Sequence, residues 1–169
     1  MNDPDTSVEV RPLEEDDLPA AVAASLAADT VFADAGVVLP PDDPRDMLAH
    51  ASAVLVAGRP VVGLAALIEL DGAAHLEQLA VHPAHGRRGI GSALLEAACG
   101  LARSQGSPAM TLTTFRDLAW NGPWYAARGF RPLPESEWGP ELRAQWRAEE
   151  RAGILVAPRI AMRRGLATV

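Results

Sequence analysis

From Ala53 to Val81 the apolar positions fall in short blocks, "AVLVA", "VVGLAALIEL" and "AHLEQLAV", separated by "GRP" and "DG". Blocks of this length, rich in branched side chains and bounded by turn residues, predict three consecutive antiparallel strands, with Asp71-Gly72 as a tight hairpin. The period then changes. After Gly89, the residues Ile90, Leu94, Ala97 and Leu101 recur at three- and four-residue spacing, which predicts one apolar helical face ending at Gly106. "AMTLTTF" returns to a strand pattern.

The flanking segments follow the same logic. Val8 and Val10 alternate with polar residues as in a first strand, and Asp16 or Asp17 is a candidate N-cap for a helix through "AAVAASLAA", with Pro19 in its early turn. "VFADAGVVLPPDDPRD" reads as an ordered loop or lid leading to a short helix near Met47. Asn121 and Pro123 resemble the cap and first turn of a short helix closed by Gly129, after which "FRPL" is extended. "GPELRAQWRAEERAG" predicts another helix, and "ILVAPRIAMR" contains the final strand. The order implies a mixed α/β fold whose central sheet is largely antiparallel, in a single domain over residues 1–169.

Composition narrows the function classes. A chain of 169 residues with 49% hydrophobic content suits one soluble globule. No run approaches the ~18 apolar residues of a membrane span, and the start lacks a signal-peptide pattern, so no membrane partner and a cytoplasmic location are expected. Cys99 is the only cysteine, which leaves no internal disulfide and no cysteine cluster for zinc; in an apolar helical run it reads as a buried structural thiol. No metal is expected. The net charge of −7 opposes nucleic-acid binding and favours cationic partners. All 15 basic residues are arginine, so Schiff-base chemistry on a lysine is excluded.

The chemistry-bearing stretch is "AVHPAHGRRGIGSALLEAA", Ala80 to Ala98. Glycines at 86, 89 and 91 remove side chains where a strand turns into a helix, so unpaired amides can converge there. A helix N-terminus carries roughly half a positive charge beside those free donors, which suits a phosphate or pyrophosphate. Arg87 and Arg88 add charge. A chain without lysine cannot hold a P-loop, and these glycines do not form the dinucleotide-binding pattern.

"LAVHPAHGRRGIGSALL" resembles the acyl-CoA-binding motif of the GNAT superfamily of N-acetyltransferases: a strand ending Val-x-Pro, then Gln/Arg-x-x-Gly-x-Gly/Ala, then a helix. "LTTFRDLAWNGPWYAARGFRPL" resembles that family's second motif, Asn-x-x-x-Tyr followed by Gly-Phe. The element order fits over nearly the whole chain. One departure stands out: Gly86 occupies the position usually held by Gln or Arg.

The resemblance implies acetyl-CoA as acyl donor, its pyrophosphate on Gly86, Arg87, Arg88, Gly89, Ile90, Gly91 and Ser92, and its pantetheine arm along Leu79, Ala80 and Val81 like an added strand. It also implies that the Leu79 amide orients the thioester carbonyl. Tyr125 falls where the family often carries the acid that reprotonates the departing thiolate, although a lone tyrosine beside Trp124 and Phe130 also suits a half-buried packing role. Asn121 reads as a helix cap first and a pantetheine contact second.

Direct attack needs a neutral amine, whereas an alkylammonium has a pKa near ~10.4, so a base or water relay is required. His75 and Glu77 share parity with Leu79, which predicts that all three project to one face unless a bulge intervenes. Either His75 or Glu77, directly or through water, is the candidate base; a solvated polar edge is the bland alternative. Arg116 and Asp117 read as a surface pair, and Trp138 and Trp146 as packing residues. The expected activity is acetyl transfer to a primary amine in a ternary complex, the acceptor being a small cationic amine or a peptide amine. The rival is a non-catalytic acyl-CoA sensor or partner-binding module. Pairing is common in the family, so a homodimer is among the assemblies it implies.

Overall fold

The computed structural model describes residues 8–167. Its chain order is β1 (Val10–Pro12), α1 (Leu18–Asp34), α2 (Pro44–His50), β2 (Ala53–Ala57), β3 (Gly63–Leu70), β4 (Ala73–Val81), α3 (Ile90–Ser104), β5 (Ala109–Phe115), α4 (Gly122–Ala126), β6 (Arg131–Pro132), α5 (Pro140–Arg151) and β7 (Arg159–Gly165). The strands form a sheet in the order β1-β2-β3-β4-β5-β7-β6. Every neighbouring pair is antiparallel except β4 and β5, which run parallel.

That parallel pair positions the site. It is paired only at Ala74 with Met110 and His75 with Thr111. Beyond this point β4 and β5 diverge, leaving the β5-facing edge of β4 without a strand partner among the described residues from Glu77 to Val81.

Helices cover both faces of the sheet. On one, Ile90, Leu94, Leu95, Ala98, Cys99 and Ala102 of α3 pack on Leu76, Met110 and Leu112. On the other, Ala21 and Val22 of α1 and Leu48 of α2 meet Val56, Leu64, Ala66 and Ala80. The buried stripe of α3 is rotated from the expected one: Ala97 and Leu101 lie at its margin, only partly buried, because the helix also presents Leu95, Cys99 and Ala102 to the sheet.

The first strand begins at Val10, not Val8. Asp17 precedes α1 but its side chain does not cap that helix. Its carboxylate instead accepts from the Glu14 amide and takes both arms of Arg11, at 2.6 and 2.8 Å. The buried ion pair outcompetes the cap.

The Asp71-Gly72 hairpin has a second role. Asp71, at φ 53, accepts from the amides of Glu141 and Leu142, both at 2.9 Å, while the Glu141 carboxylate accepts from the Asp71 amide at 3.1 Å. A turn between β3 and β4 thus caps α5, far along the chain, by the reciprocal logic of a capping box. A Cβ at Gly139 would collide with the Asp71 carboxylate, so any other residue there would displace this cap.

Candidate active site

The glycine-rich loop turns chiefly at two residues. Gly89, at φ 77, is the left-handed N-cap of α3, and Arg87 is also left-handed at φ 62. Gly86 is extended (φ −63, ψ 160), so its glycine is not needed for the turn; a Cβ there would stand 3.3 Å from the Pro83 carbonyl. Gly91 is helical and faces Trp124. The expectation of a sharp turn at all three glycines is therefore corrected to Arg87 and Gly89.

This conformation frees donors. The Gly86 amide bonds the Pro83 carbonyl and the Ala93 amide bonds the Gly89 carbonyl, but among the described residues the amides from Arg87 to Ser92 have no protein acceptor. They gather at the positive end of α3, where an anionic group compensates both the dipole and the unmade hydrogen bonds.

The loop borders a cavity of about 410 Å³ whose walls include Leu79, Ala80 and Val81 of β4, Asn121, and Tyr125 of α4. Arg87, Gly89, Ile90, Gly91 and Ser92 line it with Gly86, whereas Arg88 does not. Phe32 of α1 and Trp120 close another wall, their rings 6.0 Å apart.

Arg128 was missed by sequence reasoning. Its Nε donates to Ser92 Oγ at 3.1 Å, its Nη1 to the Trp124 carbonyl at 3.0 Å, and its guanidinium lies 3.7 Å above the Trp124 ring. Among the described residues its Nη2 has no hydrogen bond. A signal was present: an arginine four residues after Trp124 lies one helical turn along the same face.

Asn121 occupies the N-cap position of α4, yet its side chain donates to the Trp120 carbonyl at 3.0 Å and does not cap. Gly122 is held beneath the Arg116 carbonyl, which a Cβ would strike. Tyr125 is only 8% exposed, edge-on to Trp124 and Phe130, and burial pushes its phenol well above the ordinary range. At working pH it holds its proton.

The expected common face for His75, Glu77 and Leu79 is overturned by a β-bulge. Gln78 lies opposite Ala66 and Leu76 opposite Leu67, so Glu77 is an extra residue without a cross-strand partner. Leu76, Leu79 and Val81 consequently pack on the α3 side, while the Gln78 amide donates to Ser25 of α1 at 2.7 Å.

His75 is 1% exposed and its Nδ1 lies 2.8 Å from Thr111 Oγ1; burial pushes the imidazole down to about 4. It is neutral and sealed. Glu77 differs. Its Oε2 is buried without a partner among the described residues, and its carboxyl is raised by burial first, then by Glu149. His50 of α2 opposes that shift and Asp42 adds to it.

Glu149 of α5 is the second residue not anticipated. Both its oxygens lie near Thr113 Oγ1, at 2.6 and 3.0 Å, and Arg159 Nη2 reaches Oε1 at 3.4 Å and Thr113 Oγ1 at 3.2 Å. Burial raises this carboxyl too.

Arg116 and Asp117 form an exposed ion pair at 2.9 Å, and Trp138 and Trp146 pack with their rings tilted and their centroids 4.9 Å apart. No group of three metal-ligating side chains occurs among the described residues, and no helix there is long and apolar enough to cross a membrane.

A family model described as "Acetyltransferase (GNAT) family" matches residues 15–130. Among solved structures, N-acetylglutamate synthase from Neisseria gonorrhoeae, complexed with coenzyme A and N-acetyl-glutamate, superposes with a TM-score of 0.72 at 21% identity. That match covers 96% of this chain but only 36% of the synthase. An acetyltransferase of the GNAT family from Staphylococcus aureus gives 0.72 at 15% identity, covering 95% of this chain and 100% of that one. The ribosomal-protein-S18-alanine N-acetyltransferase from Escherichia coli gives 0.69 at 18% identity, with 96% of each chain covered.

Proposed function

The chain belongs to the acetyltransferase (GNAT) family, and from that premise we propose that it transfers an acetyl group from acetyl-CoA to a primary amine that arrives as a cation. The observation that carries this reading is the row of free amides from Arg87 to Ser92 at the mouth of a cavity that also reaches Tyr125 and the unpaired edge of β4.

In this reading those amides and the start of α3 hold the diphosphate, and the β4 edge at Leu79 to Val81 takes the pantetheine amides as a strand would. The Leu79 amide polarises the thioester carbonyl. Glu77 is the base and His75 is not, because an imidazole held at about 4 and 1% exposed neither meets the acceptor nor holds a proton at neutral pH. A half-buried carboxyl with one unpartnered oxygen and a raised proton affinity is matched to that task.

The ammonium gives one proton to Glu77 and through it to solvent. Its nitrogen then bonds the carbonyl carbon as the carbon–sulfur bond breaks. The leaving sulfur takes the Tyr125 proton, and the phenolate recovers the second proton lost by nitrogen. Burial that raises the phenol also disfavours a free thiolate, so this transfer is less uphill than in water. Glu77, Glu149 and Asp42 supply the negative field for a cationic acceptor.

Free coenzyme A thiol, followed over a panel of polyamines, aminoglycosides and peptide amines, tests the reading. Glu77→Gln and Tyr125→Phe should each lower turnover by roughly 10²- to 10⁴-fold with acetyl-CoA affinity retained. Tight acetyl-CoA binding with no amine-dependent thiol release across the panel would favour the sensor.

A further inference from the structure

The family match ends at residue 130, whereas α5, between β6 and β7, spans Pro140–Arg151. This helix brings Glu149 to the divergence of β4 and β5. The last parallel pair is His75 with Thr111, so two residues onward Glu77 and Thr113 flank the opening, and Thr113 carries Glu149 on its hydroxyl.

We propose that Glu149, seated by Thr113 and Arg159, is a positioning residue that acts through Glu77 and governs how readily Glu77 takes the acceptor's proton. The proposal rests on the reading of Glu77 as the base.

The Glu149 carboxylate is incompletely neutralised. Where an arginine silences a carboxylate in this chain, it does so with both arms: Arg11 grips Asp17 at 2.6 and 2.8 Å, and Asp17 is held down to about 2. Arg159 reaches Glu149 through a single nitrogen at 3.4 Å, and its buried Nε finds no partner among the described residues. One hydroxyl proton from Thr113 can serve only one of the two carboxylate oxygens.

The side chains of Arg159 and Glu149 are 8% and 15% exposed, so water screens this residual charge poorly. Two carboxyls sharing such a site take up their first proton at higher pH than either alone. The other charged groups felt by Glu77 are His50 of α2, which favours ionisation, and Asp42 of the α1–α2 connection, which opposes it; His75 is neutral.

Carbon-13 NMR of the glutamate carboxyls in the full-length protein, titrated without any acceptor, reads the midpoint of Glu77 directly. Glu149→Gln keeps the hydrogen bonds available and should lower that midpoint by about one pH unit, the scale of a neighbouring like charge. Glu149→Asp should restore most of the shift.

Acetyl-CoA affinity, measured by calorimetry, should stay unchanged in the Glu149 variants and reports that each is folded. An unmoved Glu77 midpoint in folded Glu149→Gln overturns the proposal. Unchanged turnover in Glu77→Gln would instead overturn the base assignment, a separate result.

Discussion

On the side proposed to hold the cofactor, the donors come from one loop in which the chain folds back on itself between Arg87 and Ser92. On the side proposed to receive the acceptor, Thr113, Glu149 and Arg159 come from β5, α5 and β7 and are hydrogen-bonded to one another across the strand opening from Glu77 of β4, an arrangement that exists only when the sheet and its last helix are assembled. An anion cradle needs backbone amides in a given conformation, and a left-handed glycine before a helix supplies it locally. A carboxyl's affinity for protons depends on what else is buried near it, which no local segment determines. The cofactor side should therefore tolerate loosening elsewhere, and the acceptor side should respond to it.

The largest expected effect is on pH stability, at His75. The imidazole is near 4 in the folded chain against about 6.5 when unfolded, so folding holds it neutral. Its contribution is fully present above about 6.5 and is lost as pH falls toward 4, because there the unfolded chain takes a proton that the folded chain refuses. The difference amounts to about 3 kcal/mol at the acid end. Denaturant unfolding at several pH values should show that much less acid sensitivity in His75→Asn than in the parent. Equal slopes would mean that the buried imidazole is not a site of acid weakness on this face.

Next comes the remote cap. Asp71→Ala removes both acceptors at the start of α5 and should cost about 1–2 kcal/mol, seen as a fall in Tm. Asp71→Asn, which tolerates the left-handed backbone, should cost less. The comparison predicts more than instability: the amine KM should rise while acetyl-CoA affinity holds, because the cap seats the helix that carries Glu149. A parallel loss of acetyl-CoA affinity would erase the distinction between the two sides.

The same division explains what was legible in the sequence. β5 is recovered residue for residue as "AMTLTTF", and the glycine-rich loop is identifiable because its determinants are contiguous. The bulge was written there too: Leu76 and Leu79 are three apart, with Glu77 and Gln78 in succession between them, a spacing that strict alternation forbids. Reading parity through it put Leu79 on the wrong face. Glu149 was not legible, since one glutamate in a charged helix is distinguished only by its contact with Thr113. The capping role expected of Asp17 failed for a related reason: Arg11 competes for its carboxylate from another element.

The smallest effect sharpens the cofactor side. Arg128 already spends two nitrogens on Ser92 and the Trp124 carbonyl, and its guanidinium stacks on Trp124. Within the fold it fastens α4 to the first turn of α3. The residue lines the cavity, so its guanidinium can also meet an anionic group there. Arg128→Met keeps the stem over the ring and removes every donor. Because the backbone amides remain, acetyl-CoA affinity should fall only about three- to tenfold, the scale of one charge-assisted hydrogen bond in a partly hydrated site. Part of that loss should disappear at high salt, since a partly exposed charge is screened. Glu77 should keep its NMR midpoint in this variant. Calorimetry showing no change in affinity would assign Arg128 to packing alone and leave the cradle to the amides of the loop.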